Sequence, residues 1–553
     1  MKRTWWKEGI VYQIYPRSFK DTTGNGVGDI YGIIEKLDYI KSIGVDIIWL
    51  CPVYESPNDD NGYDISDYRK ISEDFGGADA FDQLLQSMHD KGLKLVMDLV
   101  LNHSSDEHPW FLESKSSKNS PYRDYYFWEP EKDGGPPNNW LSFFSGSAWQ
   151  KETTTNDYYL HFFTKKQPDL NWENPKVRAE IHDIVEFWCQ TGVDGFRMDV
   201  ISLISKQTEF PNTNGSEDFG NIIKQYYANG PKIHDYLNEL NNKVLSKYDV
   251  MTVGEGPGID LDNGLDYVHE DRDELHMIFH FDHMFIDNGL GGKYDPIDIS
   301  LPRFKKVFGD WDMKLKDHGW GSIFLGNHDF SRIVSRFGNA TNYHELSAKL
   351  LSLLLFTLRG TVYIYQGDEI GMTNVAYPDI SHYNDVETLG AWHTAKAQGK
   401  NMDDFLKIVH RQSRDNARTP MQWDSSRNAD FSEGEPWLPV NENYKTINVA
   451  AQENDPNSIL NFYRKMILFR KANKVMVYGD YECLNEQDEH LYIYKRWNAE
   501  EHYIILLNFS DDVQPINNDT LGLDKTELLV SNYLENNSST VLQPWEGQLR
   551  RYK

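Results

Sequence analysis

The sequence predicts an α/β fold: a (β/α)8 TIM barrel with an inserted subdomain after the third strand and a C-terminal antiparallel β-sandwich domain. Three observations support this prediction. The chain of 553 residues is long enough for such a barrel with attachments. Short runs rich in valine, isoleucine and aromatic residues alternate with amphipathic stretches of helical period, as in repeated strand–helix units. Near the C-terminus the period changes to two, which is typical of antiparallel strands.

Eight strand-like runs are enough to close a barrel, because each is short, apolar and bounded by turn residues. The runs lie at 10–16, 46–52, 93–103, 193–200, 249–255, 275–283, 322–329 and 361–369. Amphipathic stretches predict helices at 32–44, 81–92, 174–192, 234–248 and 459–471. This order of elements predicts parallel strands inside an outer ring of helices.

The alternation stops after the third strand and resumes near Asn174, across a polar segment rich in proline and aromatic residues. A segment of that length inside a compact domain needs its own substructure or a function. We therefore predict an inserted domain at 104–174, within a catalytic barrel formed by 1–103 and 175–477. Period-two runs such as YIYKRW and HYIILLNF predict the C-terminal β domain at 478–553.

Composition restricts the class of partner. The formal net charge of −29 is spread along the chain, which disfavours nucleic acid and anionic membranes. Three widely separated cysteines, Cys51, Cys189 and Cys483, argue against a disulfide framework and for a reducing compartment. The first residues lack a signal-peptide pattern, and no run reaches the ~18 apolar residues of a membrane span. We expect a cytoplasmic monomer or weak homo-oligomer that acts on a small molecule.

Strong polar residues follow the predicted strands. They are Asn102, His103, Arg197, Asp199, Glu255, His328 and Asp329. The carboxyl ends of all strands in a parallel barrel open onto one face, where such enzymes keep their active sites. Three converging carboxylates suit glycoside hydrolysis, since one can attack the anomeric carbon, one can protonate the leaving oxygen and one can hold the sugar. Arg197 lies on the same strand face as Asp199 and can keep that carboxylate ionised.

Five segments carry a resemblance to a known family. They are DLVLNH (98–103), QPDLNW (167–172), GFRMDV (195–200), VGE (253–255) and GNHD (326–329). Over essentially its whole length the chain resembles the α-amylase family, glycoside hydrolase family 13, and within it the oligo-1,6-glucosidase and α-glucosidase branch. The resemblance implies that Asp199 is the nucleophile of a retaining enzyme, Glu255 the acid/base and Asp329 a transition-state stabiliser.

The resemblance also implies a set of substrate-binding residues. They are Asp60, Tyr63, His103, Arg197, His328 and Arg414. The two histidines would hydrogen-bond the terminal glucose, the tyrosine would stack on its ring, and Arg197 would orient the nucleophile. Asp60 and Arg414 would close the far end of the pocket by binding the terminal hydroxyls. A pocket closed in this way makes an enzyme exo-acting.

Two residues bear on linkage preference. Family branches that favour α-1,6 bonds are similar to this chain in having valine directly after the nucleophile, here Val200. We therefore expect hydrolysis of α-1,6-linked glucose from isomaltose and short isomalto-oligosaccharides. Relatives commonly have methionine after the acid/base, where this chain has Gly256. The missing side chain predicts a wider leaving-group subsite.

A loop after the first strand, DTTGNGVGD, predicts a cation site. The oxygen ligands would come from Asp21, Thr23, Asn25, Asp29 and the carbonyl of Val27. Oxygen donors at alternate positions around glycines suit a hard cation such as Ca²⁺. The resemblance supports calcium in a structural role, and the departures from the family pattern at Thr23 and Asn25 weaken the site or admit Mg²⁺.

Several alternatives remain open at this point. One is a broader α-glucosidase active on α-1,4 bonds or sucrose. A sucrose isomerase would need an arginine-rich loop after the sixth strand, and the corresponding HMFIDNGLGGKYDP has no arginine. A trehalose-6-phosphate hydrolase would need basic residues near the leaving group. A non-catalytic relative of the transporter-subunit type would have lost its catalytic carboxylates, all of which are present here.

Overall fold

Eight parallel strands form the central barrel and confirm the predicted fold class. The computed structural model describes residues 3–215, 217–534 and 538–553. The barrel strands are β1 (Ile10–Ile14), β2 (Ile47–Leu50), β3 (Lys94–Val100), β4 (Gly195–Asp199), β5 (Met251–Glu255), β6 (Met277–Phe279), β7 (Ser322–Ile323) and β8 (Thr361–Tyr365). Their order in the sheet is β6-β5-β4-β3-β2-β1-β8-β7, so each of the eight predicted strands is present.

The barrel has a seam between β6 and β7. Among the described residues no backbone ladder joins these two strands, and β7 pairs only with β8, through Ser322 and Ile323. One side-chain bond crosses the seam, from the Ser322 hydroxyl to the carbonyl of Ile278 at 2.7 Å. The barrel is therefore nearly closed, with its weakest hydrogen bonding on this side.

Helices cover the outside of the strands. They are Ile30–Glu35, Leu37–Ile43, Gly77–Asp90, Pro175–Thr191, Ile233–Lys243, Gly264–Val268, Leu301–Leu315, His344–Thr357 and Ile459–Ala472. The fourth of these shows how local sequence sets the bounds. The Asn174 side chain accepts a hydrogen bond from the Lys176 amide, Pro175 occupies the first turn, and Gly192 ends the helix at φ 105°. None of the helices in the described ranges is long and apolar enough to cross a membrane.

The stretch predicted as one helix at 32–44 forms two. Lys36 adopts φ −99° and ψ 4° between Ile30–Glu35 and Leu37–Ile43, and its amide bonds the carbonyl of Ile33 at 3.1 Å. This tight turn interrupts the regular helical hydrogen bonding without breaking the amphipathic pattern. Periodicity alone could not reveal the interruption.

The segment after β3 carries a helix, Pro109–Ser116, and an antiparallel sheet. The strands of this sheet are Trp128–Pro130, Asp157–Leu160 and Trp149–Lys151, in spatial order. Aromatic side chains of the insert, including Trp140 and Phe162, pack with Val200 and Tyr227 in one buried cluster. The insert therefore packs over the carboxyl end of β4.

A second long insertion, the excursion, lies between β8 and the helix Ile459–Ala472 and was not predicted from the sequence. Its helices are Val386–Ala397, Met402–Gln412 and Asp415–Arg418. A two-stranded hairpin after β6, formed by Asn288–Gly289 and Gly292–Pro296, packs against this excursion. Together they contribute Tyr294, Glu387 and Arg414 to the wall of the pocket at the barrel mouth.

The C-terminal region forms a five-stranded antiparallel sheet and a two-stranded ribbon. The sheet strands are Asp480–Cys483, Leu491–Trp497, His502–Asn508, Gly547–Tyr552 and Thr526–Ser531, in spatial order; the ribbon pairs Gln514–Pro515 with Val541–Leu542. A buried arginine of this region, Arg496, donates to the carbonyl of Val475 at 3.0 Å and so joins the region to the barrel. Within the barrel, the buried Arg470 donates to the carbonyls of Phe356, Leu358 and Gly360 at 2.5–2.9 Å.

Candidate active site

A cavity of about 730 Å³ opens at the carboxyl ends of the barrel strands. The predicted residues that line it are Asp60, Tyr63, His103, Asp199, Glu255, His328, Asp329 and Arg414. Arg197 lies behind this lining and is 1% exposed. The structure therefore brings together, in or directly behind one pocket, every catalytic and substrate-binding candidate chosen from the sequence.

Arg197 bonds three buried carboxylates, among them the candidate catalytic residues Asp199 and Glu255. Its guanidinium bonds Asp199 at 2.7 Å, Glu255 at 2.6 Å and Asp98 at 2.8 Å. Arg197 and Asp199 are two residues apart on β4 and so share the face that points into the barrel. The indole of Trp49 lies 5.2 Å from the guanidinium and donates to Asp98 at 3.1 Å. The carboxylates of Asp199 and Glu255, which we propose react with the sugar, thus bind the two terminal nitrogens of one guanidinium.

The charges of this cluster are unbalanced, since three carboxylates surround one guanidinium. Burial raises the pKa of Asp199, and the negative charges of Glu255 and Asp98 raise it further, against the opposing effect of Arg197. Burial likewise raises the pKa of Asp98 to about 6. Burial and the neighbouring carboxylates therefore outweigh the effect of Arg197 on the pKa of Asp199, whereas the sequence predicted that Arg197 alone would keep this carboxylate ionised.

A strained turn follows Asp199. Val200 adopts the left-handed region at φ 37° and ψ 41°, which a β-branched residue rarely occupies. This conformation directs its amide to Glu255, whose carboxylate accepts the hydrogen bond at 3.0 Å. Glu255 is therefore held from two sides, by the guanidinium of Arg197 and by the backbone of Val200.

Three predicted sugar-binding residues contact one another. The hydroxyl of Tyr63 lies 2.7 Å from Nε2 of His328 and 3.1 Å from Asp98, and the two rings stack at 5.3 Å with an interplanar angle of 7°. Nε2 of His103 lies 3.1 Å from the carbonyl oxygen of Tyr63. Burial lowers the pKa of His103 to about 4 and that of His328 to about 3. Both imidazoles are therefore neutral at neutral pH.

Ion pairs connect several residues of the cavity lining. Arg414 bonds Asp60 at 3.2 Å, Asp329 at 3.3 Å and Asp385 at 2.7 Å. Arg418 bonds the same oxygen of Asp329 at 2.8 Å. Burial alone would raise the pKa of Asp329, but the guanidiniums of Arg414 and Arg418 outweigh it and hold that pKa well below its usual range. Asp329 is therefore ionised throughout the neutral and mildly acidic range.

Several site residues were missed by the sequence analysis. They are Asp98, Gln167, Lys293, Asp385, Glu387 and Arg418. The first two lie inside the quoted motifs DLVLNH and QPDLNW. Arg418 ends the short helix Asp415–Arg418, which Arg414 directly precedes, so proximity in sequence was an available signal. Lys293 and Glu387, which bond each other at 2.6 Å, come from the hairpin and the unpredicted excursion. No sequence pattern linked these two segments.

The expectation that Gly256 widens the leaving-group subsite is wrong. A Cβ atom built at Gly256 would lie 2.6 Å from Cδ1 and 2.9 Å from Cγ1 of Ile259. Ile259 is 4% exposed, so its side chain fills the space into which a side chain at Gly256 would project. The pocket is therefore not enlarged at this position.

The predicted cation loop curls tightly through Gly24 and Gly26, at φ 76° and 87°. Asp21 accepts hydrogen bonds from the amides of Thr23, Gly24 and Gly26 at 2.8–2.9 Å. The other predicted side-chain ligands are also bonded within the loop: Asn25 accepts from Val27, and Asp29 from Thr22. Among the described residues no three acidic, histidine or cysteine side chains are grouped for a metal ion. The oxygen donors fit a hard cation by type, but a cation would share carboxylates that already accept hydrogen bonds.

A buried carboxylate cluster at the mouth of a (β/α)8 barrel, with a pocket of sugar size, defines the class as a glycoside hydrolase. The sequence profile of the α-amylase catalytic domain matches residues 13–479. The chain belongs to the α-amylase family.

Similar proteins are known over the full length of the chain. An oligo-1,6-glucosidase of Parageobacillus thermoglucosidasius is 51% identical over 562 aligned positions and one of Bacillus cereus is 48% identical, and the alignments cover 100% of both chains in each case. The crystal structure of an isomaltulose synthase from Klebsiella sp. LX3 superposes with a TM-score of 0.96 at 43% identity, and the match covers 100% of both chains.

Proposed function

We propose that the protein is a retaining, exo-acting α-glucosidase that removes terminal α-1,6-linked glucose from isomaltose and short isomalto-oligosaccharides. The observation that carries this proposal is the placement of Asp199 and Glu255 on one guanidinium, in a pocket that is also lined by the ion pair between Asp60 and Arg414. The shared guanidinium supports double displacement at an anomeric carbon. The ion pair supports an exo-acting enzyme, because a pocket closed by it would not let an internal chain pass through.

The chemistry follows from the roles of the two carboxyls. Asp199 attacks the anomeric carbon while Glu255 gives its proton to the departing glycosidic oxygen, leaving a covalent glucosyl-enzyme. Glu255, now a carboxylate, takes a proton from water, and the hydroxide so formed displaces Asp199 with net retention. The pair needs one proton in total, and the raised pKa of Asp199 supports a cluster that holds one before the sugar binds. Asp329 stays ionised and accepts hydrogen bonds from ring hydroxyls.

Two observations support the α-1,6 preference. Val200 lines the pocket next to the nucleophile, where its branched side chain restricts the leaving group. The two relatives aligned above are both named oligo-1,6-glucosidases. A single such side chain discriminates by ~1–3 kcal/mol.

The test is glucose release from isomaltose, maltose and sucrose at equal concentration. We expect isomaltose to be cleaved with the highest kcat/KM, and Val200→Ala to lower the isomaltose-to-maltose ratio about tenfold. A higher kcat/KM for maltose or sucrose in the wild type would refute the linkage assignment, while leaving the two catalytic carboxyls in place.

A sucrose isomerase is the second candidate, because the solved relative is an isomaltulose synthase. The hairpin that would hold displaced fructose presents one cation to the pocket, Lys293, which is paired with Glu387. Sucrose incubated with the enzyme should therefore give glucose and fructose rather than an isomeric disaccharide.

Phosphorylated disaccharides are a weaker fit. Among the described pocket-lining residues the lysines and arginines are Lys293 and Arg414, and each is already bonded to carboxylates. Neither is free to neutralise a phosphate. We therefore expect trehalose 6-phosphate to be a poor substrate.

For the loop after β1 we propose bound Ca²⁺, or Mg²⁺, held by Asp21, Thr23, Asn25, the Val27 carbonyl and Asp29. The support is an all-oxygen donor set with two carboxylates in a glycine-rich turn. Calcium should raise the unfolding temperature of chelator-treated protein, and Asp21→Asn should abolish that rise. An unfolding temperature unaffected by either cation would exclude the site.

We further propose a cytoplasmic enzyme that is a monomer or a weak homo-oligomer. Its cysteines, Cys51, Cys189 and Cys483, are all free, which suits a reducing compartment. Sedimentation velocity at several concentrations measures the oligomeric state.

A further inference from the structure

Lys206 is a buried lysine close to the active site that the mechanism above does not use. It lies seven residues after the nucleophile and is 2% exposed. Its ammonium forms an ion pair with Asp169 of the insert and donates to Oδ1 of Asn102 at 3.1 Å. The rings of Phe162 and Phe127 lie 4.6 and 5.3 Å from the ammonium. A charge this deeply buried needs polar partners, and the ammonium of Lys206 in turn orients the side chains that bond it.

The ion pair determines which way the Asn102 amide faces. Its carbonyl oxygen lies against the ammonium of Lys206, and its nitrogen donates to Asp169 at 3.1 Å. The opposite orientation would place the amide hydrogens against the ammonium and the carbonyl oxygen against the carboxylate. Both charges therefore favour the same orientation.

The oriented amide in turn determines the tautomer of His103. The Asn102 nitrogen lies 3.3 Å from Nδ1 of His103, so that ring nitrogen must accept and cannot carry the proton. The proton then lies on Nε2, which donates to the carbonyl oxygen of Tyr63 at 3.1 Å. Gln167 Nε2 also lies 3.3 Å from this nitrogen, but it has its own acceptors in Asp60 and Tyr63.

We propose that Lys206 is a positioning residue for His103: through Asn102 it holds the imidazole as the neutral Nε2–H tautomer, whose N–H can be shared between the carbonyl oxygen of Tyr63 and a sugar hydroxyl. Lys206 does not line the pocket, whereas His103 does. The ammonium therefore acts on the substrate only through the imidazole. This inference rests on the proposed function for its kinetic readout alone.

The experiment is a double-mutant cycle between Lys206→Met and His103→Ala, with kcat/KM for isomaltose as the readout. If Lys206 acts through His103, Lys206→Met lowers kcat/KM about tenfold in the wild type, the size of one hydrogen bond, and has little further effect in the His103→Ala background. Equal losses in both backgrounds would overturn the proposal.

Lys206→Met leaves Asp169 buried without its counter-charge, so a second variant, Lys206→Met/Asp169→Asn, removes both charges and should fold if the single variant does not. Lys206→Arg keeps the charge and should restore most of the activity. Lys305→Met is the matched control: Lys305 is also buried, but its ammonium donates to the carbonyls of Asp488 and Leu491 at 2.7 and 3.0 Å, far from the pocket. It should lower stability and leave kcat/KM unchanged.

Nitrogen-15 NMR of histidine-labelled protein gives a readout that does not depend on the substrate. The His103 signals, assigned by their loss in His103→Ala, should show one protonated Nε2 in the wild type and a mixture of tautomers in Lys206→Met. Unchanged tautomer signals in Lys206→Met would overturn the proposal even if the enzyme proved to act on another sugar. If the expected tautomer change is seen but the enzyme does not hydrolyse isomaltose, only the proposed substrate is refuted.

Discussion

Replacing Glu255 with glutamine separates its role as a proton donor from its place in the structure. In the wild type one oxygen of Glu255 accepts from Arg197 at 2.6 Å and from Val200 at 3.0 Å. A glutamine carbonyl oxygen can accept both bonds, so the side chain should keep its position. What the variant loses is the proton for the leaving oxygen and, in the second step, the base for water.

General acid catalysis of this kind contributes about 10²–10⁴-fold, or ~3–5 kcal/mol of transition-state stabilisation. We expect kcat/KM for isomaltose to fall by that factor in Glu255→Gln. For a nitrophenyl glucoside, whose phenolate leaves without protonation, kcat/KM should fall less than about tenfold, while kcat falls because the glucosyl-enzyme accumulates. Rapid-quench kinetics should therefore show a burst of nitrophenol.

Azide supplies a further check, because it needs no base to attack the glucosyl-enzyme and should restore turnover as the α-glucosyl azide. Glu274→Gln is the control: Glu274 is also buried and bonded to Arg272 and His234, at 2.9 and 2.7 Å, but does not line the pocket. Its kcat/KM should match the wild type. The assignment of Glu255 is refuted if isomaltose and the nitrophenyl glucoside lose kcat/KM by the same factor.

Three further outcomes follow from buried charges. Burial raises the pKa of Asp60 to about 6, so kcat/KM should decrease as the pH falls through that value and Asp60 loses its charge toward Arg414; Asp60→Asn should lower kcat/KM at pH 8 and remove this part of the pH profile. Burial raises the pKa of Asp368 to about 7, so the folded state binds a proton that the unfolded state releases between about pH 4 and 7, and stability falls as the pH rises across that window. Asp368→Asn should flatten this decline in thermal unfolding at pH 5 and 8, and an unchanged slope would contradict it. Arg470→Met should lower the free energy of unfolding by about 3 kcal/mol in urea titrations, since it leaves at least three buried carbonyls unpaired; a loss below about 1 kcal/mol would show that water replaces the guanidinium.

The parts of the site that could be predicted are those attached to regular strands. Asp199 and Glu255 end β4 and β5, and parallel strand ends must meet on one face, so their proximity followed from topology alone. The quoted motifs also contain Arg197, so its presence beside these carboxylates was predictable. The direction in which the pKa of Asp199 shifts was not predictable, because it depends on how many carboxylates surround Arg197 in the folded protein.

The parts that could not be predicted come from irregular segments. Lys293 and Glu387 meet across a hairpin and an excursion whose mutual position is set by tertiary packing, which no periodicity encodes. Gly256 was misread for a related reason. A missing side chain suggests an open space, but whether that space is open depends on a neighbour, Ile259, whose direction only the folded backbone reveals.

Because of the seam between β6 and β7, the backbone ladders restrain the two sides of the pocket differently. Asp199, Glu255 and Arg197 lie on strands that pair with a neighbour on both sides, so a shift there would disturb both adjoining ladders. The loops that follow β6 and β7 emerge beside the unpaired edge, and the first of them carries the hairpin that lines the pocket. Insertions or substitutions in that loop can reshape the acceptor side without breaking a backbone ladder. The strands that carry Asp199 and Glu255 and the loop that follows β6 are thus restrained to different degrees by the sheet.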